Sequence, residues 1–154
     1  MSFIDENRNT DMGSQFKTKF QFYQITLIFS ILFSLLGFSY NVWRMEVSEQ
    51  NNTIRTASFE MLVELSSLEQ LVYIAHYDKD LTEGSPRKGW VKVGLIGDLS
   101  VLTDPSIEKK SANLTAVWTD AWNVIEQDNA AVDRVVEGID SVREEIKRVL
   151  KALD

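Results

Sequence analysis

The sequence predicts an all-α fold: one N-terminal transmembrane helix that continues into an extramembrane long-helix coiled coil or antiparallel helical bundle. Three observations carry this expectation. QITLIFSILFSLLGFSYNVW, residues 24–43, contains no charge. Charged residues recur steadily from Arg44 to Asp154. Through most of that second part, apolar residues return at alternating steps of three and four, which is the spacing of a helix seam.

Residues 1–19 read as a short polar cytoplasmic tail. Asp5, Glu6, Asn7, Arg8, Asn9, Thr10 and Asp11 offer no periodic apolar face, so a loosely held segment is expected. A tail of that size has no room for a kinase or a cyclase.

Residues 20–43 read as a transmembrane signal-anchor helix. About 20 apolar residues cross a bilayer as a helix, because only a helix satisfies its own backbone where water is absent. Tyr23 lies at one end and Tyr40 with Trp43 at the other, where amphipathic rings favour the headgroup level. Gly37-Phe38-Ser39 weakly resembles a signal-peptide cleavage site, but the apolar run continues past it to Trp43, which favours an uncleaved anchor. Arg8, Lys17 and Lys19 precede the span, and Arg44 and Arg55 follow it. This small excess of basic residues predicts a cytoplasmic N-terminus and a periplasmic C-terminal domain, in a single-pass bacterial inner-membrane protein. Ser30, Ser34 and Gly37 form a stripe of small residues, a face on which another transmembrane helix could pack.

Residues 44–154 read as the extramembrane helical domain. A first helix is expected over about 44–77, with its seam at Val47, Ile54, Met61, Leu65, Leu68, Val72 and Ala75, and with Asn51 and Ser58 as polar members. EQNNT, residues 49–53, is the expected place for a kink. DKDLTEGSPRKG, residues 78–89, breaks the chain with two glycines and a proline. Ser85 before Pro86 marks the start of a second helix over 86–102, whose inward face is expected at Trp90, Val93, Gly97 and Val101. Leu95, Leu99 and Leu102 would widen that face.

Asp104 before Pro105 opens the third helix, expected over 105–153 as one rod about 70 Å long at 1.5 Å per residue. Its seam runs from Ile107 through Ser111, Leu114, Trp118, Ala121, Ile125, Asp128 and Val132 to Leu153 without losing phase. The rival is a hairpin at Gln127-Asp128-Asn129, with Asn129 capping a fourth helix. Unbroken phase, and the absence of Gly and Pro at that point, favour the single rod.

Little in the chain points to catalysis. There is no Cys and one His, which removes thiolate chemistry and two-His metal motifs together. His76 to Gly84 gathers one imidazole and several carboxylates, yet counting twelve positions from Asp78 reaches Gly89 where a calcium loop needs a bidentate acid. No cofactor, no metal and no enzymatic activity are expected. Residues 45–154 hold 12 Lys and Arg against 20 Asp and Glu, a net −8, which argues against nucleic acid as a partner.

Trp118 at a seam position reads first as core, and Trp90, Trp118 and Trp122 are together the candidates for a partner interface, where Trp is enriched. The expected function is that of a non-enzymatic helical scaffold, assembly factor or accessory subunit. Its partners would be the lipid bilayer and other membrane or envelope subunits, with self-association included. The alternative is a ligand-sensing extracytoplasmic bundle that signals through a partner protein.

Overall fold

The computed structural model describes residues 4–153, with side chains from residue 20 onward. Among the described residues the chain is all-helical and contains no strand. Helix α1 runs Ile4–Tyr73 and is followed by a π-helical turn, Ile74–Asp78; then come α2 (Pro86–Ser100), α3 (Pro105–Ala121) and α4 (Asn129–Ala152). The chain divides into two units, Met1–Val47 and Ser48–Asp154.

In the first unit every side chain from Phe20 to Trp43 is exposed. Twenty-four residues at 1.5 Å give about 36 Å of helix, enough to cross a hydrocarbon core about 30 Å thick. Bare Phe, Leu and Ile side chains left in water forfeit about 25 cal/mol per Å² of apolar surface, so the helix is compatible with a membrane span. The loose tail expected before the span is instead helical from Ile4, and residues 1–3 lie outside the described residues. Propagating an existing helix costs far less than nucleating one, and Asp5 and Glu6 stand at the end where the helix dipole favours acids. At 49–53, the expected place for a kink, α1 is unbroken, and the Thr53 hydroxyl donates to the Glu49 carbonyl at 3.0 Å.

In the second unit the seam of α1 is buried from Ser58 to Ala75, while Asn51 and Ile54 are half-buried; Val47, expected to open the seam, is exposed. Met61, Leu65, Leu68, Val72 and Ala75 join Val93 and Ile96 of α2, Ile107, Leu114 and Trp118 of α3, and Val132, Val135, Ile139, Val142 and Ile146 of α4 in one hydrophobic cluster. Polar contacts fix the directions. Arg55 donates to the Leu153 carbonyl at 3.1 Å, Arg143 pairs with Glu69 at 2.7 Å, and the His76 ring meets Asn129 at 2.8 Å. Partners move down α4 as they move up α1, so these stretches are antiparallel. Lys92 of α2 pairs with Glu64 of α1 at 3.1 Å. Gly138 of α4 lies so close to Leu114 that an added Cβ would sit 3.0 Å from its Cδ1.

The single helix expected over 105–153 is two helices. After Ala121 the chain tightens into turns, with Val124 N–H bonded to the Ala121 carbonyl and Gln127 N–H to the Val124 carbonyl, each at 3.0 Å. These short-range bonds keep Ile125 on the buried side, which is why apolar phase survives the corner. Asp128 then leaves helical geometry at φ −108° and ψ 105°, and its carboxylate accepts from Ala130 N–H at 2.9 Å. Asp128, expected as a seam member, is thus the N-cap of α4, the place the hairpin alternative gave to Asn129.

The face of α2 is also corrected. Its buried residues are Gly89, Val93, Ile96 and Ser100, not Trp90, Gly97 and Val101. Gly89 is the cause: without a Cβ it lets the helix lie directly against the Trp118 indole. That seat turns the helix by about one residue, or 100°. Val91, Leu95, Val101 and Leu102 consequently face outward.

Candidate interaction surface

The second unit carries three tryptophans in one place. Trp118 is 0% exposed and forms the floor. Trp90 stands on it edge-to-face, with ring centroids 6.4 Å apart at 83°, and meets Trp122 at 6.5 Å and 65°. Trp90 and Trp122 are 37% and 39% exposed, so each presents part of a large ring to the outside. Trp118 touches no outer surface and acts by supporting Trp90.

Around Trp90 the outer face of α2 carries exposed Val91 and Leu95, and Val101 and Leu102 are exposed in the turn that follows it. Gly94 on the same face has nothing within 4 Å of an added Cβ. Arg87 and Asp98 bracket this face at i, i+4, i+7 and i+11 with Val91 and Gly94, and among the described residues neither charge makes an ion pair or hydrogen bond. An apolar strip flanked by idle charges of opposite sign has the composition of an interface core and rim.

Ser30, Ser34 and Gly37 lie in the first unit. Ser30 donates to the Thr26 carbonyl and Ser34 to the Ser30 carbonyl, each at 2.8 Å, so the hydroxyls are satisfied by their own helix. Asn41 donates in the same way to the Gly37 carbonyl at 3.1 Å. The stripe is therefore small and internally saturated, and open at Gly37.

His76 is a residue whose role sequence reasoning did not reach. It is buried where the π-helical turn meets the α3–α4 corner, with Nδ1 2.7 Å from the Ile125 carbonyl and Nε2 2.8 Å from Asn129 Oδ1. Its partners lie 49 and 53 residues away, a separation at which local patterning carries no signal. The acidic loop that follows is occupied by its own backbone: Asp80 accepts from the N–H groups of Thr82 and Glu83 at 2.8 and 3.1 Å. These bonds hold its carboxyl below the usual range. Among the described residues no group of three or more His, Asp or Glu side chains is placed to hold a metal ion.

No protein-family model, no curated protein and no solved structure matches this chain. The chemistry of its own surfaces is what remains to be read.

Proposed function

We propose that the protein is a single-span membrane scaffold or accessory subunit: the apolar helix anchors it, and the second unit, packed as an antiparallel four-helix bundle, presents the outer face of α2 to another membrane or envelope protein. The observation that carries this reading is the Trp90–Val91–Leu95–Leu102 face beside Trp122, exposed on a unit whose core is otherwise well filled. Isolated surface apolar residues are ordinary, but a contiguous set anchored by two Trp rings is the usual form of a binding hot spot. The partner it fits has an apolar ridge, with an acid opposite Arg87 and a base opposite Asp98. The small basic excess before the span favours a cytoplasmic N-terminus, with the bundle in the periplasm of a bacterial inner membrane. Ser30, Ser34 and Gly37 supply a second contact, within the bilayer.

The test is mild detergent extraction of the tagged full chain, with co-purifying proteins identified for the wild type and for a Val91→Glu/Leu95→Glu variant. A stoichiometric integral membrane partner that the variant loses supports the reading. A lone chain in both preparations contradicts it. The second reading, a ligand-sensing bundle, is favoured by one observation: the open cleft on α1 beside Tyr73 and Tyr77.

A further inference from the structure

A groove of about 550 Å³ runs along the outer side of α1 where it passes into the π-helical turn. Its size falls within the range of small-molecule sites, about 300–1,000 Å³. Tyr73 and Tyr77 edge it with rings 5.8 Å apart at 47°, and Ile74 contributes an apolar wall. Glu69, Gln70 and Asp78 supply the polar lining.

The polar groups divide into occupied and idle. Glu69 is taken, accepting from the Tyr73 hydroxyl at 3.1 Å and from Arg143 at 2.7 Å. Among the described residues the Asp78 carboxylate and the Gln70 amide have no partner. An exposed carboxylate with no protein partner, beside two aromatic rings and an apolar wall, is complementary to one chemical class. A cation is drawn to the ring faces by their quadrupole, and a carboxylate completes its charge. An anion would meet Asp78 and Glu69 together, and a neutral ligand would leave the carboxylate unused.

The backbone points to the same place. A π-helical turn is rare and concentrates at functional sites. Here it ends on Lys79 at φ 56°, the one positive-φ non-glycine residue among those described, immediately after Asp78. Such a conformation costs a side-chain-bearing residue free energy, and it fixes where Asp78 stands. The local field agrees: the Tyr73 hydroxyl is held above its ordinary pKa, first by burial, then by its bond to Glu69 and by nearby negative charge, Asp140 included.

We propose that this groove binds a small organic ammonium ion, with the cationic nitrogen between the faces of Tyr73 and Tyr77 and the free carboxylate of Asp78, and its apolar part against Ile74. The site shares no residue with the α2 face, so the partner reading and this one stand or fall separately.

The experiment uses the full chain in nanodiscs with 3-fluorotyrosine at its four tyrosines. Benzylammonium is titrated in, with benzyl alcohol as the neutral probe of like shape, and ¹⁹F shifts are read. The expected result is a saturable shift at Tyr73 and Tyr77 with Tyr23 and Tyr40 unmoved. Asp78→Asn and Tyr77→Leu should each weaken binding about fivefold, the range of a single exposed charge or cation–π contact. Both positions are exposed, Tyr77 at 65%, so the helical circular-dichroism signal should be unchanged. Shifts that do not saturate, that benzyl alcohol reproduces, or that Asp78→Asn leaves intact overturn the proposal.

Discussion

Gly89 and Gly94 lie on the same helix, and alanine should move them in opposite directions. In a helix interior Ala is favoured over Gly by about 0.8–1.0 kcal/mol, which by itself stabilises both variants. At Gly94 nothing opposes that gain, because no atom lies within 4 Å of the added Cβ. At Gly89 the Cβ would fall inside contact distance of Cζ2 and Cη2 of Trp118, and 3.2 Å from Cε2. Trp118 is 0% exposed within the filled cluster and cannot retreat. Overpacking of this kind costs about 1–3 kcal/mol, more where rigid groups meet. Gly89→Ala should therefore lose about 1–2 kcal/mol net, and Gly94→Ala gain somewhat under 1 kcal/mol. For a unit of about 100 residues 1 kcal/mol moves the midpoint by about 4 °C, so the two variants should melt roughly 5–10 °C apart. Thermal unfolding of the full chain in detergent, followed at 222 nm and by Trp fluorescence, reads this directly. Adding Trp118→Phe to Gly89→Ala should recover part of the loss, since contacting residues couple. A Gly89→Ala protein at or above wild-type stability would refute the account of how α2 is seated.

Three further outcomes follow from named contacts. Asp128→Ala removes the cap of α4 and should destabilise by about 1 kcal/mol in urea unfolding; a gain would mean that residue 128 faces a continuous seam after all. His76→Ala leaves the Ile125 carbonyl and Asn129 without a partner and opens a void, for an expected loss of about 2–4 kcal/mol, and wild-type urea stability would show that the imidazole bonds are not formed. Bonds from Arg148 hold the Glu145 carboxyl at about 2, below its ordinary 4.5. A depressed folded value contributes stability present above about 4.5 and lost as pH falls towards 2, so Glu145→Gln should flatten the stability–pH curve in that window. An unchanged slope would show that the Arg148 contact does not persist in solution.

Much of this architecture was legible in the sequence, because hydrophobic periodicity reports burial without regard to connectivity. The seam from Met61 to Ala75 and the seams of α3 and α4 are buried as their spacing required. Ser85-Pro86 and Asp104-Pro105 mark the starts of α2 and α3 where they stand. What periodicity cannot report is a corner that conserves phase. Ile125 and Val132 remain in register across a turn made without Gly or Pro, and only the chemistry of Asp128 as a cap distinguishes that turn from a rod. Nor can periodicity choose between faces when both are apolar. Trp90, Val91, Leu95, Val101 and Leu102 would each suit a core, and it is the missing Cβ at Gly89 that turns them outward. The pairing of His76 with Asn129, and the groove at Tyr73 and Tyr77, depend on contacts that no local stretch contains.

The apolar helix is exposed from Phe20 to Trp43, which is compatible with a membrane span, and the proposed scaffold reading depends on that anchor. Membranes from cells producing the full chain, stripped at alkaline pH with sodium carbonate, test it most directly. The account predicts that the protein stays in the membrane pellet and enters solution only with detergent, and that substituting charges at Leu27, Leu32 and Leu36 releases it. Recovery of the unaltered chain in the carbonate supernatant would contradict the anchor.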